Sequence, residues 1–242
     1  MDVTLDRLAG DWWIHQLRRG HRYATDDLLV AWTAIRARPD ARLVLDLGAG
    51  VGSVGLLTLL GVGENAQLIA VEVQEQSAAL LRWTLETNGL QDRVELRNTD
   101  LREPGAVPEG VADLVVANPP FLPPGSATPS PVPQRANARL ELHGDVFDYA
   151  RAAALALAPD GRLCLCHAID DPRPARALAE VGLRLLTRQD VRFREGRPFG
   201  LALYTAGWTG EPEPRDPLVI RDVDGNWTQA WRAIRRALLI ER

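Results

Sequence analysis

The chain has 242 residues, 46% of them apolar and 25% charged, ordinary values for a globular protein whose core needs no disulfides. No apolar run approaches the ~20 residues of a membrane span, and the start MDVTLDRLAGDWWIHQ lacks the basic-then-apolar pattern of a secretory signal, so a cytoplasmic protein is expected. The net charge of −4 argues against a protein that coats nucleic acid nonspecifically; lysine is absent, and all 28 basic residues are arginine.

In chain order, residues 1–40 read as an N-terminal helical segment containing RRGHRYATDDLLVAW. From residue 41 to 242 the pattern changes. RLVLDL (42–47) is a short apolar strand, GAGVGS a turn, and VGLLTLLG a helix. QLIAVEV (67–73), RVELRNTD (93–100) and ADLVVANP (112–119) read as three further strands. The amphipathic QEQSAALLRWTLETNG (74–89) lies between the first two of these and stops at Gly89.

A Pro/Ser-rich loop follows Phe121, long enough to be functional or mobile. A helix is expected over 145–161, then a fifth strand, GRLCLCHA. Cys164 and Cys166 lie at i and i+2 on one face of it and read as small buried apolar residues. No Cys/His set has ligand spacing, so no metal is expected. An antiparallel pair over 184–193 and 198–208, a strand PLVIRD and a helix TQAWRAIRRALLI close the chain. Strands alternating with helices predict a Rossmann-like, doubly wound sheet of seven strands, mostly parallel with an antiparallel edge, in one compact unit.

LDLGAGVGS sets Gly48 and Gly50 between a strand and a helix, with Asp46 two residues before the first glycine. Glycines there let the backbone approach a ligand, and the helix start beyond offers free N–H groups. The spacing GxGxG, with Ser53 where a dinucleotide site has its third glycine, resembles motif I of the class I S-adenosylmethionine-dependent methyltransferases. The resemblance implies that cofactor, with Asp46 suited to its cationic amino group. Glu72, at the end of the second strand, suits a ribose diol. Asp100, at the end of the third, is positioned for the adenine amino group. All three fall at the carboxyl ends of parallel strands, where open sheets bind ligands.

VVANPPF ends the fourth strand at the same edge. An aromatic or amide amine is a poor nucleophile because its lone pair is delocalised. Two carbonyl acceptors, the Asn118 side chain and the Pro119 backbone, can take its hydrogens and aim the lone pair at a methyl group. Pro119 and Pro120 stiffen that bracket, and Phe121 can stack on the planar group carrying the amine. Asn-Pro-Pro-aromatic resembles the signature of the amino methyltransferases of adenine N6, guanine N2 or a glutamine amide.

Nearly end to end, through GHRYATDDLLVAW, LDLGAGVGSVGL, ANPPF, PQRANAR and LVIRDVDGNWTQAW, the chain resembles the bacterial tRNA(Val) adenine-N6-methyltransferase family, which modifies adenine 37 beside the anticodon. The resemblance implies that Thr25 and Asp26 help cover the cofactor, that PQRANAR lies near the substrate, and that tRNA is the partner of a monomer or dimer. Phe121 stands where that family usually has Tyr. Arg18, Arg19, Arg22, Arg135, Arg139 and Arg232, Arg235, Arg236 are candidates for phosphate contacts, with Arg135 and Arg139 expected at the substrate. His21 and His143 read as loop residues. The alternatives are a methyltransferase of a protein glutamine amide or of a small molecule, and a noncatalytic S-adenosylmethionine- or RNA-binding protein.

Overall fold

The computed structural model describes residues 2–126, 128 and 130–240. The Pro-rich loop therefore has residues 127 and 129 outside the described residues. Its central sheet is built from β3 (Leu43–Leu47), β4 (Gln67–Val71), β5 (Val94–Arg97), β6 (Ala112–Ala117), β7 (Leu157–Ala168), β8 (Arg184–Arg192), β9 (Leu201–Gly207) and β10 (Leu218–Val219). The order is β10-β8-β9-β7-β6-β3-β4-β5. β9 is antiparallel to both β7 and β8, and the other pairs are parallel. The sheet thus has eight strands rather than seven, because the expected strand PLVIRD, reduced to the two-residue β10, joins it on the outer side of β8.

Alternation along the strands sorts two cores onto the two faces. Val44, Leu68, Leu114, Val116, Cys164 and Cys166 face one cluster, together with α1 (Thr25–Ala37), α2 (Ser53–Val62) and α3 (Glu75–Asn88). Leu45, Leu47, Val115, Ala117, Leu163 and Leu165 face the other, with α5 (Val146–Ala156) and α6 (Arg173–Glu180). The two cysteines share one face, fully buried and free, as their spacing requires.

Residues 1–40 depart from the helical expectation. They contain an antiparallel hairpin, β1 (Val3–Ala9) and β2 (Trp12–Leu17), followed by α1. The turn residue Gly10 has φ +54°, a backbone angle that glycine adopts without steric cost. The outer edge of β2 is not left open. Thr84 Oγ1 accepts from His15 N–H at 2.9 Å, and Asn88 Oδ1 accepts from Trp13 N–H at 2.8 Å. Side chains of α3 therefore satisfy edge groups that would otherwise invite another strand.

The helix expected over 145–161 stops at Ala156, and Leu157 opens β7 by pairing with Ala112. Pro159 disfavours helical backbone at Ala158, so the chain extends there. The start is well determined: Asp145 Oδ1 accepts from the Phe147 and Asp148 N–H groups, and Asp148 accepts from Asp145 N–H, a reciprocal cap. A final helix, α7 (Gln229–Ala237), is capped by Thr228 Oγ1 accepting from Trp231 N–H. No helix among the described residues is long and apolar enough to cross a membrane.

Candidate active site

β3, β4, β5 and β6 are parallel, so their carboxyl ends meet at one edge. β3 has β4 on one side and β6 on the other, and this reversal of strand order opens a crevice. Its walls include Gly48, Gly50, Ser53, Glu72, Gln74, Thr99, Asn118 and Tyr149. At Gly48, φ is +68°, and a Cβ there would collide with the Tyr149 hydroxyl. At Gly52, φ is +90°, and a Cβ would stand 2.5 Å from Leu81 Cδ1. The turn is therefore shaped by glycine on both counts, conformation and space. Around Gly50 nothing lies within 4 Å of such a Cβ.

Asp46 is buried below this turn, on the α2 face of β3. Its Oδ2 accepts from Gly55 N–H at 2.8 Å, in the first turn of α2. Burial pushes its carboxyl up to about 7; the Gly55 bond opposes the rise, and Asp27 and Glu72 add to it. Glu72 bridges two backbone segments, accepting from Gly50 N–H and Gln74 N–H at 2.7 Å each. Its carboxyl is raised by burial against those two bonds.

The structure brings Gly48, Gly50, Glu72 and Asn118 together around the crevice, leaves Asp46 buried beneath the glycine turn and outside the crevice wall, and directs two other expected residues elsewhere. Asp100 is held by Arg102 at 2.6 Å, and the crevice is lined instead by its neighbours Thr99 and Leu101. Thr25 begins α1 and lines neither the crevice nor the cleft described next.

A second cleft of about 510 Å³ adjoins the crevice. Asn118, Pro120, His21 and Ala138 line both spaces. Pro119 and Phe121 face the cleft, together with Tyr23, Asp26 and five arginines, Arg18, Arg19, Arg22, Arg135 and Arg139. Arg18 pairs with Asp2 at 3.1 Å and Arg22 with Asp6 at 2.8 Å. Among the described residues, the guanidinium groups of Arg19, Arg135 and Arg139 have no carboxylate within ion-pairing distance. Arg232, Arg235 and Arg236 lie on α7 and line neither space; Arg235 stacks on Trp227 at 4.0 Å.

Three residues that the sequence did not single out organise this junction. Asp27 is buried on α1, where its Oδ1 accepts from Asn118 Nδ2 at 2.8 Å. Burial, then the neighbouring Asp26, pushes its carboxyl up to about 7. Gln134 sits on the short helix α4 (Pro133–Asn137) within PQRANAR. Its Oε1 accepts from His21 N–H at 2.6 Å, and its Nε2 donates to Ser77 Oγ at 3.2 Å. The loop is thereby tied to the N-terminal segment and to α3. Tyr149 closes the crevice behind Gly48, its hydroxyl raised by burial and by Glu72 and Asp46. His21 and His143, read as loop residues, line the crevice wall. Asp27, Gln134 and Tyr149 carried no local signal.

The methyltransferase small domain family matches residues 25–167, the span from the start of α1 to the end of β7. The chain belongs to that family. Methyl transfer is accordingly its chemistry, and the match covers the glycine turn, Asn118 and the loop bearing Gln134. Curated relatives include the tRNA1(Val) (adenine(37)-N6)-methyltransferases of Tolumonas auensis, 25% identical over 91% of each chain, and of Photorhabdus laumondii, 26% identical over 88% of this chain and 86% of that one. Among solved structures, a predicted O-methyltransferase of Agrobacterium tumefaciens superposes with a TM-score of 0.65 at 20% identity, covering 88% of this chain and 97% of that chain. TYW2 of Pyrococcus horikoshii, solved in complex with MeSAdo, gives 0.58 at 17% identity over 86% and 72%. These structural likenesses establish a methyltransferase fold. No group of three or more potential metal ligands occurs among the described residues.

Proposed function

We propose that the protein transfers a methyl group from S-adenosylmethionine to the exocyclic amine of an adenine in RNA, with tRNA the foremost substrate. The observation that carries this reading is the position of Asn118 between the glycine-lined crevice and the arginine-lined cleft.

The residues present fit the cofactor. At Gly50, in the crevice wall, nothing lies within 4 Å of where a Cβ would stand, so the glycine leaves open a space that a side chain would take up. Glu72 sets its carboxyl group in that wall for a ribose diol and Asp27 closes it from α1, with Asp46, the expected partner of the ammonium, buried beneath the glycine turn and Asp26 facing the adjoining cleft. Asp100, turned toward Arg102, is given no part in holding the adenine; the walls at Thr99 and Leu101 take its place. Bound there, S-adenosylmethionine would supply a methyl group activated by its sulfonium.

The chain's own groups then do the rest. The Asn118 carbonyl and the Pro119 backbone carbonyl accept the hydrogens of the amine and turn its lone pair toward the crevice. Pro119 and Pro120 restrict the bracket, which matters because misplacement by about 1 Å can cost about 100-fold in rate. Phe121 offers its ring to the base. Arg19, Arg135 and Arg139 are available to phosphates flanking a base that is splayed out of a loop. The names of the curated relatives, adenine(37)-N6-methyltransferases of a tRNA, support the same substrate.

The test is to supply S-adenosylmethionine carrying a labelled methyl group with total tRNA, protein extract and small amines. Label is expected in tRNA, recovered as N6-methyladenosine after nuclease digestion. Label in protein but not tRNA points to a glutamine amide, and label in small amines alone to a small-molecule enzyme; either overturns the RNA reading. No detectable binding of S-adenosylmethionine by calorimetry overturns the cofactor as well.

A further inference from the structure

A primary amide has two N–H donors and two carbonyl lone pairs. Asn118 uses three of these four inside the protein. Its Nδ2 donates to Asp27 Oδ1 at 2.8 Å and to Asp26 Oδ2 at 3.0 Å. Its Oδ1 accepts from the Cys166 thiol at 2.9 Å. One lone pair on Oδ1 remains.

Three separate elements deliver these partners. α1 carries both aspartates, β6 leads into Asn118, and β7 carries Cys166. The parallel register sets Ala117 against Leu165, so the next residues along, Asn118 and Cys166, are neighbours on the α1 face. Asp27 is itself held, its Oδ2 accepting from Ala24 N–H at 2.9 Å. Cys166 is wholly buried, so water does not compete with the Asn118 carbonyl for its thiol hydrogen.

The nitrogen and oxygen of an amide are nearly the same size, so packing alone does not decide which way round the group sits. Hydrogen-bond partners decide it. Resting on the methyl-transfer reading above, we propose that Cys166, with Asp26 and Asp27, is a positioning residue that fixes the orientation of the Asn118 amide, so that a carbonyl lone pair and no N–H faces the amine receiving the methyl group. Turned the other way, the amide would set its own N–H against those of the substrate. The Cys166 thiol supplies the donor on the oxygen side of that lock, and the two aspartates supply the acceptors on the nitrogen side.

The variants Cys166→Ala, Cys166→Ser and Asp27→Asn test this. A serine hydroxyl donates as the thiol does. An asparagine at position 27 can donate to the Asn118 carbonyl and so favours the reversed amide. In the assay described above, Cys166→Ala and Asp27→Asn are expected to lower kcat about tenfold or more, with substrate KM within about twofold of the parent, and Cys166→Ala, whose side chain lines neither space, is expected to keep S-adenosylmethionine affinity within about threefold. Cys166→Ser is expected to recover most of the loss. Wild-type kcat in Cys166→Ala overturns the inference, and so does a Cys166→Ser variant, folded by thermal melting, that is no better than alanine. A measurement without turnover separates this from failure of the methyl-transfer reading. The side-chain N–H resonances of Asn118, assigned by their loss in Asn118→Ala, are expected to exchange slowly with solvent in the wild type and at least tenfold faster in Cys166→Ala. Rapid exchange in the wild-type protein overturns the lock whether or not any amine is methylated.

Discussion

Phe121 lies against His167, with ring centroids 5.5 Å apart and planes inclined at 57°. The aromatic ring of the cleft thus rests on a histidine that is itself fully buried at the end of β7. Neither ring nitrogen of His167 has a hydrogen-bond partner, although Nδ1 stands 3.5 Å from Asp171 Oδ2. Burial therefore dominates its titration, pushing the imidazole down to about 4 against the opposing pull of Asp171.

Phe121→Ala should weaken substrate binding by removing the stacking surface, worth about 1–3 kcal/mol per base. KM for the RNA substrate should rise about 5- to 150-fold, while calorimetry shows S-adenosylmethionine affinity within about threefold. Phe121→Tyr retains the stacking face and should bind substrate as the parent does. Removing the ring also admits water to His167, so its proton affinity, followed by NMR titration, should move back toward the ordinary histidine range.

His167 also predicts a pH dependence of stability. Its folded value of about 4 lies below the ordinary histidine value of about 6.5. The unfolded chain therefore binds the proton first as pH falls. Stability is undiminished by this group above pH 6.5 and is lost progressively toward pH 4, by about 3 kcal/mol at most. Asp27 and Asp46, raised to about 7, act in the opposite sense, adding stability as pH falls from about 7 through 4. The difference between wild type and His167→Leu isolates the histidine. In urea unfolding from pH 7 to 4.5, the stability of the wild type should fall relative to the variant; a difference independent of pH would refute the assignment.

Asp46 has a carboxyl pushed up to about 7 and sits beside Asp27, raised to a similar value. An ammonium group placed near them favours their charged forms. Binding of S-adenosylmethionine near pH 6.5 should therefore release about one proton. Calorimetry in buffers of different ionisation enthalpy measures this directly, and Asp46→Asn should reduce both the release and the affinity.

Gly48→Ala should destabilise the fold by about 1–3 kcal/mol, because the new Cβ meets the Tyr149 hydroxyl at a residue whose φ is +68°. Adding Tyr149→Phe removes the colliding oxygen and should restore part of the stability, leaving the part due to backbone strain. Thermal unfolding of the two variants distinguishes these components.

Arg135 and Arg139 are exposed at the cleft without a carboxylate partner among the described residues. The double substitution Arg135→Gln, Arg139→Gln should weaken RNA binding. It should also reduce the slope of log affinity against log salt by about one unit for each phosphate that an arginine no longer neutralises. Affinity for S-adenosylmethionine should be unchanged. Arg232→Gln and Arg236→Gln, on α7 outside the cleft, should leave that slope close to the parent's.

Local features of the sequence determined a large part of this protein. Strand–helix alternation from Arg42 onward predicted the doubly wound sheet, because a strand period of two and a helix period of 3.6 are visible within a few residues. LDLGAG and VVANPPF located the working edge, because glycine and proline restrict their own backbone wherever they stand. The i, i+2 spacing of Cys164 and Cys166 placed both on one sheet face. The hairpin at the start was not legible as such, since its outer edge is completed by Thr84 and Asn88 from a helix some seventy residues later.

The tertiary structure alone decided how the site is wired. Asp27, Asn118 and Cys166 meet through α1, β6 and β7, and Gln134 reaches both His21 and Ser77. Asp100, expected at the end of its strand, lies three residues beyond β5 and pairs with its near neighbour Arg102. A side chain's partner is set by distance in space and by the cost of burying an unpaired polar group, and neither is written in the spacing of residues along the chain.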